Sequence, residues 1–599
     1  MTTVPSTLTL TDSDREAHAR PLSFKLITRL FTYTKPYARI RNWLLVLVLI
    51  RAALLPLITL TLAYVLSVPI TNGDTRGLVW GIVTFALLAA AVNVVYHFRI
   101  RFALQLGEGV VHDLRNRMFA HLQRQTMQFF DRTKIGRVIS RFNSDLENVR
   151  TGVQDVLFMS LVGIGQMVIA AVIMVLRDPV LFSVIALMAP ILWGINRYFS
   201  LRISRAHRAT QESFSRVTAT LAESVNGVRV TQGFARQDVN ASMFGDLVAS
   251  HSTYRMQTSR LNASFIPLLD INSQVFIATL FILGGWRAFG GSADAATIIT
   301  FLLMAQVFFE PIQLLGEQYM EALMAMAGAE RVFGLLDTQP QWKDAPDATD
   351  LPRIEGRVQL RDLTFGYDPQ RPVLHQINFK AESGQTIALV GSTGSGKSSI
   401  INLIAKFYLP TAGELLIDGH DIQKVRGDSL HRQMGIVLQQ NFLFSGTVLE
   451  NIRIGRPSAT DAQVVEAAQR LDCLDLLNKL PDGLHTNVGE RGGNLSLGQR
   501  QLVCFTRAML ADPRILILDE ATSSVDTVTE VRIQRALEVL LEDRTSFVVA
   551  HRLSTIRHAD QVLVLDQGRI VERGKHNQLL SAGGIYANLY RQFIRSSEG

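Results

Sequence analysis

The stretch best suited to chemistry is Gly391-Ser-Thr-Gly-Ser-Gly-Lys-Ser-Ser399, preceded by the apolar run "TIALV" and followed by "SIINLIAKFY". Strand, glycine loop and helix in that order make a phosphate cradle. Gly391, Gly394 and Gly396 let backbone N–H groups turn inward at the positive end of a helix. Lys397 is placed to reach the β- and γ-phosphates of a nucleotide, and Ser398 offers a hydroxyl to Mg²⁺. Ser392, Thr393, Ser395 and Ser399 complete the candidate ATP contacts.

Two more stretches carry acid–base residues. "RILILDEATSSVD" holds a buried apolar strand ending in two acids. Asp519 is placed to hold Mg²⁺, and Glu520 to polarise an attacking water as general base. His551 closes the strand "TSFVVAH", at the strand end where a side chain can reach a γ-phosphate. A second phosphate-shaped helix start, "GGNLSLGQRQL", begins at Gly492, about a hundred residues beyond the first. One chain has no evident use for both.

These residues need a scaffold, and the chain divides into two unlike halves. Residues 43–320 hold six apolar stretches, approximately 43–68, 78–98, 156–176, 180–199, 266–289 and 297–320. Each is about the ~20 residues a helix needs to cross a bilayer. Arg99–Arg150 carries ten Lys/Arg against five acids and Asn196–Asn262 nine against four, whereas the other three connections carry at most one basic residue each. Positive loops stay cytosolic, so both termini and both long loops are expected in the cytosol. Helical spacing in "VVHDLRNRMFAHLQ" and "VTATLAESVNGVRVTQGF" extends the membrane helices into the cytosol, with Gly136 and Gly227 near their tips. The net charge of +8 is then largely topological, and no nucleic-acid partner is needed to explain it.

"DTQPQWKDAPDATDLPR" reads as a linker. Beyond it, "VQLRDLTF", "TIALVG", "ELLIDG", "MGIVLQ", "ILILDE", "TSFVVAH" and "QVLVLDQG" alternate with helical segments, which predicts a largely parallel α/β sheet. The expected fold is multidomain: a segment and elbow over 1–41, an all-α six-helix transmembrane domain with long cytosolic extensions over 42–330, a linker over 331–353, and an α/β P-loop ATPase domain over 354–599. A 599-residue chain with 48% hydrophobic and 19% charged residues suits that division. The two cysteines, Cys473 and Cys504, have no metal or disulfide spacing and read as small buried residues. The N-terminus lacks the apolar core of a signal peptide.

Taken together these residues resemble the ATP-binding-cassette exporters. "LSLGQ" (495–499) resembles the family signature, and the other motifs follow in order. Tyr367 in "FGYDPQRPVL" is similar to the adenine-stacking aromatic. Gln439 in "GIVLQQNFLFSG" is similar to the Q-loop glutamine, which contacts Mg²⁺ or water. Glu490 in "NVGERGGNLS" resembles the X-loop acid, Asp526 the D-loop aspartate and His551 the switch histidine. "FFDRTKIGRVISRFNSD", "LAESVNGVRVTQGF" and "AGAERVFGLLD" resemble the exporter membrane domain and its junction. The resemblance implies two cassettes paired head to tail, each ATP lying on one chain's Lys397 loop and capped by the other chain's Ser496, Gly498 and Gln499. That gives the second helix start its use. Loop tips near Phe129–Gly136 and Glu223–Thr231 are similar to the coupling helices. Leu497 departs from the usual glycine of the signature.

Glu520 and His551 are both present, so the expected assembly is a homodimer of half-transporters in lipid, with a heterodimer as the alternative. The expected activity is ATP-driven export of small hydrophobic or amphipathic compounds across a bacterial inner membrane. An importer on the same scaffold, for example of a chelate, and a non-pumping membrane ATPase are the other readings. Arg51, Asp270, Glu310 and Glu317 lie within apolar stretches and are candidates either for substrate contact or for helix pairing.

Overall fold

The computed structural model describes residues 24–291, 293–368, 370–519, 527–550 and 553–597. Contacts divide the chain into two compact units: one of residues 1–123 and 135–338, the other of 124–134 and 339–599.

The first unit is helical. In chain order come α1 (Ala38–Ser67), α2 (Thr75–Leu122), the short α3 (Met127–Arg132, assigned to the second unit), α4 (Ile135–Arg177), α5 (Pro179–Asn226), the short α6 (Val228–Gly233), α7 (Gln237–Phe289) and α8 (Ala295–Asp337). Among the described residues, four helical segments carry a stretch long and apolar enough to span a membrane: Lys35–Ser67, Thr75–Leu122, Ile135–Arg177 and Ala295–Ile312. Shorter apolar runs, Pro179–Met188 and Gln274–Phe289, lie on α5 and α7. Every one of the six expected stretches falls on a helix that continues well past it, except on α1. Asp178 caps α5 through bonds from Val180 and Leu181 N–H, and Asp294 caps α8 through Thr297 N–H, satisfying amides that a helix start leaves orphaned.

α4 is interrupted by two π-helical turns, Arg141–Asp145 and Gly152–Val156. Between and around them it presses on α8. A Cβ on Gly328 would lie 2.7 Å from the Asp145 carbonyl oxygen, and one on Gly152 would lie 2.5 Å from Ala325 Cβ. The buried Asp145 carboxylate accepts from Arg331 Nη2 at 2.6 Å and Nε at 3.0 Å. A carboxylate so enclosed needs that partner.

The second unit contains two sheets where the sequence predicts one. β1 (Val358–Phe365), β2 (Leu374–Ala381), β4 (Ala412–Ile417) and β5 (His420–Asp421) form an antiparallel sheet in the order β2-β1-β4-β5. β3 (Thr386–Gly391), β6 (Met434–Val437), β7 (Ile515–Asp519), β8 (Thr545–Val549), β9 (Gln561–Asp566) and β10 (Arg569–Gly574) form the other, in the order β10-β9-β3-β8-β7-β6. All its pairs are parallel except β10–β9. The physical difference is burial. β1 alternates buried with exposed positions, whereas β3 and β8 are buried along almost their whole length, as a parallel sheet covered on both faces requires. Ile387 and Leu389 face one core with the antiparallel sheet and helix α9 (Lys397–Ile404). Leu516, Leu518 and Val548 face another, with α10 (Leu497–Ala511) and α11 (Thr527–Leu541).

The segment read as a linker is anchored. Residues 331–337 complete α8. Further on, Asp344 accepts from Lys406 Nζ at 2.7 Å and from Gly427 N–H at 3.0 Å, and Lys406 is only 1% exposed. Cys473 and Cys504 are free and buried, as expected.

Candidate functional site

The parallel register brings the chemistry to one sheet edge. Leu389 of β3 and Asp519 of β7 both pair with Val549 of β8, and Leu518 pairs with Val437 of β6. All four strands run the same way, so the 391–399 loop, the end of β7, the end of β8 and Gln439, two residues past β6, leave the sheet on the same side. Glu520 follows Asp519 directly and His551 lies two positions beyond Val549. Glu520, Asp526 and His551 themselves lie outside the described residues.

Within the loop, Gly391, Gly394 and Gly396 have φ of +155°, +83° and +104°. At Gly391 a Cβ would sit 2.3 Å from the Leu565 carbonyl oxygen, and at Gly396 it would sit 2.5 Å from Leu374 Cδ2. Only glycine fits the first and last of these turns. Gly396 caps α9 with no side chain, and the first-turn amides of a helix have no intrahelical acceptor. Lys397 folds back over the loop, its ammonium donating to Gly391 O at 2.9 Å and Ser392 O at 2.8 Å. Burial lowers its pKa, and the nearby Asp519 carboxylate opposes that shift. Ser395 Oγ is buried with no hydrogen-bond partner, while Ser392, Thr393 and Ser398 are exposed. An enclosed hydroxyl without a partner, a buried ammonium and glycines at positive φ fit the phosphates of a nucleoside triphosphate.

Tyr367 lies beside this loop. Its hydroxyl is 3.1 Å from Ser399 Oγ, and its ring packs edge-on against Phe365 and Tyr408. The short helix α3 grips the same place. Gln128 Nε2 and Arg132 Nη2 donate to the Tyr367 carbonyl at 3.0 and 3.2 Å, and the Tyr408 hydroxyl donates to Asp131. Burial, with the Asp131 carboxylate beside it, pushes the Tyr408 phenol well above its ordinary pKa. Tyr408 and Asp131 escape sequence reasoning. "KFYLP" and "FFDRTK" carry no mark of a mutual contact, since that contact spans 277 positions.

The second phosphate-shaped helix start is a complete capping box. Ser496 Oγ accepts from Gln499 N–H at 3.2 Å, and Gln499 Oε1 accepts from Ser496 N–H at 2.9 Å. Ser496 is exposed, Leu497 half-buried and Gly498 buried. Among the described residues no hydrogen bond or ion pair joins this box to the Lys397 loop. The helices behind the two sites sit in different cores, α9 in one and α10 in the other.

A helical membrane domain joined to a P-loop sheet domain defines an ATP-driven membrane transporter. A family model described as "ABC transporter transmembrane region" matches residues 43–312, and one described as "ABC transporter" matches 374–523. The uncharacterized ABC transporter ATP-binding protein YknV of Bacillus subtilis (strain 168) is 39% identical over 588 residues, covering 97% of this chain and 96% of its own. An ATP-dependent lipid A-core flippase of Syntrophus aciditrophicus (strain SB) is 35% identical over 495 residues, 82% of each chain. The structure of a bacterial Atm1-family ABC exporter with ATP bound superposes with a TM-score of 0.78 at 27% identity, covering 93% of this chain and 98% of that one. This chain belongs to the ABC transporter family. It is an integral membrane half-transporter of exporter architecture that binds ATP, couples its hydrolysis to transport and works as a dimer.

Proposed function

We propose that the chain is an exporter of hydrophobic or amphipathic compounds working as a homodimer with composite nucleotide sites. The loop Gly391–Ser399 holds the phosphates, Tyr367 faces the base, and Ser496, Gly498 and Gln499 of the second copy close over the γ-phosphate. Ser398, Gln439 and Asp519 are the oxygen donors suited to Mg²⁺, which when bound supplies charge neutralisation at the β- and γ-phosphates. Glu520 orients and deprotonates the attacking water, His551 contacts the γ-phosphate and Asp526 lies at the dimer contact. The observation that carries the reading is the division of labour within one chain. One phosphate cradle is furnished with a lysine and an acid, while a separate helix start caps itself fully and leaves Ser496 exposed.

An amphipathic cargo is supported by the relative named as a lipid A-core flippase. The basic character of both long loops supports cytosolic termini, and a bacterial inner membrane suits the bacterial relatives. The decisive experiment is ATP turnover by this chain expressed alone and reconstituted in lipid, beside Glu520→Gln. Turnover that disappears in the variant supports the homodimer. A well-folded wild-type chain that hydrolyses nothing overturns it and points to a heterodimer.

A further inference from the structure

α1 and α2 pack on each other within the membrane domain, and between them lie two cations that share one tyrosine. The Arg51 guanidinium stacks over the Tyr96 ring at 4.1 Å, and that of Arg99 lies 5.3 Å from the same ring centre. Arg99 is 3% exposed. Arg51 Nη1, Arg99 Nε and Arg99 Nη1 are buried and have no hydrogen-bond partner, and among the described residues neither arginine forms an ion pair. Two like charges beside one tyrosine, each with idle donors, are costly in an apolar setting. The tyrosine face offsets only part of that cost. By contrast the buried Arg544 pairs with Asp512.

Tyr96 is also the wall of an open cavity of about 540 Å³ along α2, lined by Asn93, His97, Ile100, Arg101 and Leu104 beside it. Tyr96 is 38% exposed. Tyr96 thus touches both the cavity and the two guanidinia. The site also falls at a telling depth. Arg99 directly follows the apolar stretch 78–98, and Arg51 lies eight residues past Trp43, roughly 12 Å along a helix. Arg99 therefore stands at the boundary between headgroups and acyl chains on the side that carries the basic loops, and Arg51 about two helical turns inside it.

We propose that Arg51, Arg99 and Tyr96 form a receptor for the phosphate of an anionic lipid, its chains lying along the α2 cavity. The guanidinium forks supply bidentate donors that suit phosphate. Tyr96 swings aside to admit it. Binding of this kind is separate from ATP turnover and holds whether or not the chain is self-sufficient as an ATPase.

The test uses the full chain in phosphatidylcholine nanodiscs without nucleotide, with spin-labelled phosphatidylglycerol or spin-labelled phosphatidylcholine as probe. The motionally restricted fraction should favour phosphatidylglycerol by on the order of tenfold, as two cations near a bilayer surface imply. The double variant Arg51→Gln/Arg99→Gln should bring that preference close to one, and Arg51→Lys/Arg99→Lys should retain much of it. A wild-type chain with no preference overturns the proposal without any variant. So does an undiminished preference in the folded glutamine variant. Displacement of the labelled lipid by low-millimolar inorganic phosphate would assign the site to a free anion and overturn the lipid assignment.

Discussion

Gly391→Ala tests the phosphate cradle through its closest contact. The new methyl would lie 2.3 Å from the Leu565 carbonyl oxygen and 2.7 Å from Ser395 Oγ. A carbon and a carbonyl oxygen settle at about 3.3–3.6 Å, so one side must yield by about 1 Å. Leu565 sits in β9, paired in register with Gly391 itself, and the ladder holds it. The loop therefore takes the displacement. Overpacking of that kind costs about 1–3 kcal/mol, which for a domain of this size lowers Tm by about 2–12 °C. A 1 Å misplacement at a reacting centre costs on the order of 100-fold in rate, so turnover should collapse and ATP should no longer raise Tm. Gly384→Ala is the control. Its φ of +78° imposes a left-handed backbone penalty of about 1–2 kcal/mol, but nothing lies within 4 Å of the new methyl and it stands outside the loop. That variant should melt about 2–8 °C early yet turn over ATP normally. The readouts are thermal melting of the full-length protein with and without ATP, and phosphate release. Gly391→Ala with wild-type melting and turnover would refute the reasoning.

Three further outcomes follow from particular contacts. Ser496→Asp keeps a capping oxygen for the Gln499 amide, so it should melt like wild type. It also places a carboxylate where the second copy's γ-phosphate is expected, so ATPase activity should fall by more than tenfold. A merely structural cap would leave turnover intact. Tyr408→Phe preserves the ring packing on Phe365 and Tyr367 but removes the donor to Asp131. A hydrogen bond to a charged group is worth about 1.5–3 kcal/mol, so transport per ATP hydrolysed should drop several-fold with little change in basal hydrolysis. Equal transport stoichiometry in the two proteins would remove this contact from the coupling path. Finally, burial pushes the Cys473 thiol up to about 11 and raises that of Cys504. Maleimide at pH 7 should label neither in the native protein and both after denaturation, read by mass spectrometry.

Legibility in the sequence followed how local the cause was. The phosphate loop could be read because its glycines answer a local demand for positive φ at Gly391, Gly394 and Gly396. The membrane helices could be read because hydropathy is a property of contiguous residues. The division into two sheets was hidden. "VQLRDLTF" and "TIALVG" both look like strands, and what separates them is whether one face or two become covered. β2 (LHQINFKA) and β10 (RIVERG) went unread because polar residues interrupt them at every second or third position. The Asp131–Tyr408 contact and the Arg51–Tyr96–Arg99 group depend on side chains meeting across long stretches of chain. No window of sequence contains them.

The short helix α3 has a consequence for how this protein can be taken apart. Residues 124–134 are encoded inside the membrane half yet pack as members of the cassette, sharing the Tyr367 carbonyl and the Tyr408 hydroxyl with it. The inheritable module is therefore discontinuous in the gene. A chimera that grafts a relative's cassette after residue 338 leaves eleven residues of the old owner lodged in the new domain. Exchange of the two segments together is the operation that moves an intact part.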